Sequence, residues 1–326
     1  MKMFDDLHNR RICVTGGAGF LGKAVCRRLR GAGVQSIFVP RSRDYDLTRA
    51  ENVERLFDDA LPQIVIHLAA EVGGIGANEA NPGRYFYANM AMGLHLIEES
   101  RRRGVEKFVQ VGTVCAYPKF CEVPFREDDL WCGFPEDTNA PYGIGKRALG
   151  VMLDAYRRQY GFNGVYLIPV NLYGPGDNFD PRTSHVVPAM IRRFCEAIDV
   201  GRDEVTCWGT GNASRELLYV DDAAEAIVQA AAEHNDSAPI NLGTGREITI
   251  ARLAEMIAGF CGFRGRVAWD TSRTDGQPRR CLDTSRAERL LSWRATTTLE
   301  GGLRPTIEWW RSQEPTNREL KVSHRP

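Results

Sequence analysis

The stretch VGTVCAYP (111–118) begins as the end of an apolar run and then presents a hydroxyl, Thr113, and a thiol, Cys115, two positions apart. In an extended chain, residues with this spacing point to the same side. Alone, a strand-end cysteine reads as a small, inert core residue, so the pair needs neighbours before it means chemistry. A second pair lies downstream. NAPYGIGKRALGVMLDAYRRQYG (139–161) sets Tyr142 and Lys146 four residues apart at a helix start. That spacing is about one turn and puts both on one face. An ammonium beside a phenol favours phenolate and lowers its pKa, which suits proton transfer in carbonyl–alcohol chemistry. Tyr-x-x-x-Lys also recurs by chance on surface helices, and it needs a redox partner to carry weight.

The N-terminal glycines supply one. TGGAGFLG (15–22) follows the apolar run RICVTG (11–16) and opens the helical stretch FLGKAVCRRLRGAG (20–33). Gly16 permits a tight turn, Gly19 lets backbone approach a pyrophosphate, and Gly22 lets helix and strand pack closely. The helix N-terminus offers unpaired N–H groups to the anion. Gly16, Gly17, Gly19, Phe20, Leu21 and Gly22 are therefore the candidate dinucleotide loop. The second strand runs into FVPRSRDYDL (38–47), where a carboxylate would read a ribose hydroxyl and an arginine a 2′-phosphate. Arg41 and Arg43 come first there, followed by Asp44, Asp46 and Leu47. A guanidinium fork matches phosphate, so NADP(H) is the favoured cofactor and NAD(H) the alternative.

The elements that must position these residues alternate. RICVTG (11–16), SIFVP (36–40), IVIHLAA (64–70), KFVQVGT (107–113) and GVYLIPVNLYG (164–174) read as strands. Helical stretches at 20–33, 48–60, 83–104 and about 141–160 lie between them. The expected class is α/β: a Rossmann-type doubly wound parallel sheet with a smaller, discontinuous C-terminal substrate-binding domain. After residue 179 Pro and Gly thicken and the helices read as irregular. APINLGTG (238–245) looks like a strand returning to the sheet. Residues 1–179 plus about 215–245 would form the cofactor domain, and 180–214 with 246–326 the substrate region.

Composition narrows the classes. The chain has 326 residues, 42 Lys+Arg against 42 Asp+Glu, 43% hydrophobic and 26% charged residues. That is ordinary for a soluble globular protein and advertises neither nucleic acid nor an anionic membrane. No apolar run reaches the length of a membrane helix. The opening MKMFDDLHNRRICV carries acids and no long apolar stretch, unlike a secretory signal. The nine cysteines are scattered without a CxxC, and the six histidines form no HxxxH pair. Reduced thiols, no metal site and a cytoplasmic location are expected. Cys13 and Cys26 read as core, Cys121 and Cys132 as loop residues, His67 as a satisfied strand-end histidine, and Trp309 and Trp310 as helix packing.

Taken together, the glycine loop, HLAA (67–70), Thr113 and the Tyr142/Lys146 pair resemble an extended short-chain dehydrogenase/reductase. VGGIGAN (72–78), CAYPK (115–119), NLYGPGDNF (171–179), SHVVPAMIRRF (184–194), WGTGNASRELLYVDD (208–222) and DGQPRRCLDTSR (275–286) sharpen the resemblance to the GDP-L-fucose synthase family. Its members are GDP-4-keto-6-deoxy-D-mannose 3,5-epimerase-4-reductases. The resemblance implies roles. Tyr142 and Lys146 would be the reductase pair and Thr113 the accompanying hydroxyl. Cys115 and His185 would be the epimerisation pair. Leu68, Ala69, Ala70, Pro169, Asn171, Leu172 and His185 would line the cofactor. Asn171, Arg193, Trp208, Arg215 and Asp275 would hold a GDP-linked sugar. A two-fold dimer through 83–104 and 141–160 is also implied. Val114 stands where the family pattern has a serine, Glu71 where it has a base, and FREDDLWCGFPEDTN (125–139) has its own character.

Two other functions fit the same residues. One is an NAD-dependent nucleotide-sugar epimerase that returns its hydride without net redox. The other is a non-catalytic NADP(H)-binding sensor, since folds host many functions. A sensor needs none of Thr113, Cys115, Tyr142, Lys146 and His185.

Overall fold

The computed structural model describes residues 7–313 apart from Gly74 and Thr274. The first six residues of the opening stretch, one glycine of VGGIGAN and the C-terminal part of the expected substrate region lie outside the described residues.

Strand β1 (Arg11–Thr15) leads into α1 (Phe20–Gly31), β2 (Ser36–Phe38), α2 (Ala50–Ala60) and β3 (Ile64–His67). Then come the short α3 (Ile75–Ala80), α4 (Pro82–Arg102), β4 (Lys107–Val111), α5 (Ala140–Tyr160) and β5 (Gly164–Pro169). The second half holds β6 (Asn171–Tyr173), α6 (Val186–Asp199), β7 (Glu204–Trp208), β8 (Ser214–Tyr219), α7 (Val220–Glu233) and β9 (Ile240–Leu242). It closes with β10 (Glu247–Thr249), α8 (Ile250–Cys261), β11 (Arg266–Asp270), α9 (Ser285–Leu291) and α10 (Leu299–Ser312).

Six strands form one parallel sheet in the order β2-β1-β3-β4-β5-β9. Strands β3, β4, β5 and β9 are buried along their whole length, as a sheet covered on both faces requires. The chain leaves β1 first toward β2 and then toward β3, so the order reverses there. Ligands of open α/β sheets bind at such a switch point. Helices α4 and α5 pack on each other, and α1 packs on α7. APINLGTG does return to the sheet, as β9 beside β5.

The core is double. The first runs from Leu7 through the parallel sheet to α7, and Leu282, Ala287, Leu291 and Trp293 return to it. The second gathers Tyr173, Phe194, Ile257, Leu303 and Trp310 between α6, α8 and α10. Phe179 stacks on Trp310 there, with centroids 4.4 Å apart. Burying each such large apolar side chain contributes about 1.5–3 kcal/mol.

Three expectations need correction. The run 164–174 is two strands. Val170 still donates to Leu242 O, but Asn171 onward pairs with β8 in a second sheet, β10-β8-β6. The helices after residue 180 are regular, with α6, α8 and α10 each carrying one apolar face into the second core. The run 107–113 stops as a strand at Val111, and a 3₁₀ turn over Val114–Ala116 follows.

Candidate active site

That 3₁₀ turn overturns the extended geometry expected of Thr113 and Cys115. Thr113 is extended, and its hydroxyl accepts the Cys115 N–H at 3.1 Å. A threonine side chain can cap a turn in this way. The chain then curls, and the thiol is placed by a turn rather than by strand alternation. Cys115 is half-buried.

Helix α5 begins beside this turn. Its Tyr142 phenol faces the Thr113 hydroxyl. Lys146, one helical turn on, is 2% exposed and donates to Val111 O at 3.3 Å. Burial pulls its ammonium down to about 8. The sequence reading expected the ammonium to depress the phenol. Burial wins instead: it raises Tyr142, the neighbouring Cys115 adds to the rise, and the Thr113 hydroxyl opposes it. The phenol is thus protonated near neutrality, as a proton donor must be.

The thiol has a cation beside it that the sequence reading passed over. Arg280 Nη1 lies 3.8 Å from Cys115 Sγ. Its Nε and Nη2 both donate to Gln277 Oε1, at 3.2 and 3.1 Å. The signal was the DGQPRRC run itself, in which an arginine directly precedes the buried Cys281 and Leu282. His185 caps the start of α6. Its side chain is open to water yet surrounded by protein at longer range, as the wall of a cleft is. Burial and then the Arg280 charge hold its imidazole below the ordinary value.

The second sheet carries the remaining polar residues. Asn171 Nδ2 donates to Glu216 O at 3.3 Å. Arg215 Nη1 donates to Ser214 O and Gln277 O, both at 2.7 Å, and Nη2 to Asp275 O at 3.1 Å. The Asp275 carboxylate accepts the Thr210 N–H and hydroxyl, both at 2.7 Å. It thereby fixes the turn after Trp208. Trp208 is 58% exposed, with the Arg193 guanidinium 5.3 Å from its ring centroid. Arg273, also passed over in the sequence, stands 5.2 Å from the same ring.

At the switch point the glycine loop is shaped by close approach. Gly16 has φ +70°, and a Cβ there would stand 2.7 Å from Ala69 N. A Cβ on Gly22 would stand 2.1 Å from Gly16 O, which is the helix–strand contact expected of it. Gly19 is the N-cap of α1, no side chain caps that helix, and its first turn holds no acid. Backbone N–H groups and positive helix potential are thus available for a pyrophosphate. Leu68 N donates to Thr15 O, and Phe20, Leu21, Leu68 and Ala69 are half-buried around the loop while Ala70 is exposed. Pro169 is buried and Leu172 half-buried. Arg41 and Arg43 are exposed past β2, and Arg43 pairs with Asp44 at 3.3 Å. Asp46 accepts from Thr48, while Leu47 is buried in the first core. These residues fit a dinucleotide, with the arginines at its adenosine end.

Two departures gain an explanation, and one bland reading changes. Glu71, where the family pattern has a base, is paired bidentately with Arg84 at 2.6 and 2.7 Å. Val114 is buried in the first core, where a serine hydroxyl would need a partner. His67 is only half satisfied: Nδ1 bonds Thr15 Oγ1 at 2.7 Å, and Nε2 has no partner among the described residues.

A doubly wound sheet with a glycine cradle at its switch point and a Tyr-x-x-x-Lys helix beside it defines an extended short-chain dehydrogenase/reductase. The model of the NAD dependent epimerase/dehydratase family matches residues 12–243. The GDP-L-fucose synthase of Sinorhizobium fredii is 41% identical over 304 residues, 93% of this chain and 96% of that one. GDP-L-fucose synthase 1 of Arabidopsis thaliana is 39% identical over 300 residues, 92% of this chain and 93% of its own. The structure of a GDP-L-fucose synthetase from Naegleria fowleri bound to NADP superposes with a TM-score of 0.85 at 27% identity, covering 94% of this chain and 95% of that one. The chain belongs to the NAD dependent epimerase/dehydratase family and, within it, to that of the GDP-L-fucose synthases.

Proposed function

We propose that this protein is a bifunctional nucleotide-sugar 3,5-epimerase/4-reductase, converting GDP-4-keto-6-deoxy-D-mannose to GDP-L-fucose with NADPH. The observation that carries the reading is one cluster: Tyr142 facing Thr113, the Cys115 thiol beside it, and buried Lys146 one turn away. The first core and its glycine cradle would hold the cofactor. The second core, with Arg193, Trp208, Arg215 and Asp275, would hold the nucleotide sugar.

The chemistry follows from these groups. A C4 ketone acidifies the hydrogens on C3 and C5. Inverting each centre needs a base on one face of the ring and an acid on the other, the roles of Cys115 and His185. Tyr142 and Thr113 would hydrogen-bond the C4 oxygen, where charge develops. NADPH, when bound, supplies the hydride that reduces C4. Tyr142, kept protonated by burial, then gives its proton to the C4 oxygen. Lys146, titrating at about 8, lies one turn behind to restore it.

Phe86, Tyr87 and Leu94 on α4 and Val151 on α5 are exposed apolar residues on two helices that pack together. They support a homodimer closed through this face. Among the described residues no helix is long and apolar enough to cross a membrane. Sedimentation should give a dimer that Leu94→Glu converts to a monomer.

The deciding experiment supplies GDP-4-keto-6-deoxymannose with NADPH and with NADH and follows cofactor oxidation and product. NADPH consumed with formation of GDP-L-fucose is expected. Isomerised sugar with no net cofactor use would make the protein a redox-neutral epimerase. Cofactor binding without turnover of any keto-sugar nucleotide would make it a sensor.

A further inference from the structure

Arg280 is 8% exposed, and among the described residues no carboxylate pairs with it. A buried cation without a counterion is expensive, so something must repay this one. Its side chain has little freedom. Two of its nitrogens are committed to the Gln277 amide oxygen, and that leaves Nη1 toward Cys115 Sγ at 3.8 Å. Gln277 in turn donates to Lys119 O at 3.2 Å. One amide thereby ties the segment that carries Arg280 to the loop that carries Cys115. The backbone is fixed as well. Glu216 N donates to Arg280 O, Ser214 N to Pro278 O, and Leu282 N to the Glu216 carboxylate. Arg215, half-buried nearby, feels the Arg280 charge and that of Cys115. The sulfur sits at a locally positive place.

We propose that Arg280 is the positioning residue of the epimerisation centre: it holds the Cys115 sulfur in place as the proton-accepting anion, and Gln277 holds Arg280. A guanidinium favours a neighbouring thiolate, and Nη1 is the Arg280 nitrogen that faces Cys115 Sγ. In the step itself the proton on the carbon beside the ketone passes to Sγ. The C–H bond breaks, an S–H bond forms, and the electron pair moves to the C4 oxygen. Burial and then the same cation disfavour imidazolium at His185, so one guanidinium acts on both sides of the cleft. This rests on the epimerisation role given to Cys115 above.

The first readout needs no substrate. Iodoacetamide is added to the protein at neutral pH, and the labelling rate of each cysteine is read peptide by peptide, with exposed Cys132 as the internal reference. Arg280→Met should slow Cys115 relative to Cys132 by about tenfold or more. Arg280→Lys, which keeps the charge, should recover most of the rate. Gln277→Ala, which frees the guanidinium, should fall between and serves if Arg280→Met does not fold. Equal Cys115 labelling in wild type and Gln277→Ala, or in wild type and a folded Arg280→Met, overturns the proposal. Deuterium exchange into the sugar with unchanged labelling would sink the Arg280 role and leave the function standing. Slowed labelling with no sugar turnover would do the reverse.

Discussion

Gly143 lies so close under the Cys115 loop that a Cβ on it would stand 2.3 Å from the Cys115 carbonyl oxygen. The residue after Tyr142 must therefore lack a side chain if helix and 3₁₀ turn are to meet. On propensity alone Gly143→Ala should stabilise α5 by about 1 kcal/mol. The contact is with backbone, which cannot rotate away, so overpacking of roughly 1–3 kcal/mol should win. The variant should melt lower and lose turnover. A higher melting temperature with full turnover would refute the contact.

Tyr142→Phe keeps the ring and removes the proton donor. Reduction should fall about 10²–10⁴-fold, while NADPH binding, measured by fluorescence titration, stays nearly intact. Turnover close to wild type would move the acid elsewhere.

Lys146 makes stability depend on pH in a definite direction. Its ordinary value is 10.5, and burial lowers it to about 8 in the folded protein. Between these values the unfolded chain binds more protons, so stability rises with pH from 8 to 10.5. Below 8 the cost of burying the charge is felt in full, about 3 kcal/mol. Cofactor-free Lys146→Met should outlast wild type in urea at pH 7, and its margin should close as pH approaches 10.5. A margin independent of pH would mean that the lysine keeps its proton throughout.

Arg41 and Arg43 stand free enough past β2 to meet a 2′-phosphate. Contacts of this kind contribute roughly 1.5–3 kcal/mol each. The Arg41→Ala/Arg43→Ala variant should lose NADPH affinity far more than NADH affinity. Equal losses in calorimetric titrations would show that neither arginine reads the phosphate.

Cys115→Ser separates the two reactions. A hydroxyl is a far weaker acid than a thiol of pKa about 8.5, so abstraction at C3 and C5 should slow sharply. In heavy water wild type should wash deuterium into both positions and the variant should not. Its product should shift toward a D-configured 6-deoxyhexose. Exchange at the wild-type rate would return Cys115 to the core.

Periodicity made the sheet, the glycine cradle and the Tyr142 helix legible, because strand burial, close backbone approach and helical spacing each constrain residue types locally. The bend after Thr113 was hidden, since its cause is one side-chain hydrogen bond to Cys115 N, and VGTV reads equally well as strand. The split at Val170 was hidden for a similar reason: β6 is chosen by β8, far along the chain. Arg280 and Gln277 were within a quoted motif, yet their meaning depends on the sulfur opposite them. The effect of burial on Tyr142 likewise exceeded anything spacing could tell.

Phe125 runs beside Leu282, exchanging backbone hydrogen bonds with Cys281 and Asp283. On a ribosome the earlier residue is made first and must wait for the later ones, on the order of ten seconds at ordinary elongation rates. Through that interval the Cys115 loop has neither the Gln277 amide nor the Arg280 guanidinium beside it. Within it the parallel sheet from β1 to β5 is completed in sequence and free to form. A nascent chain can therefore hold a finished glycine cradle while the proposed acid–base centre is still unassembled, and the Cys115 thiol gains its charged neighbour only once residues 277–280 have been made.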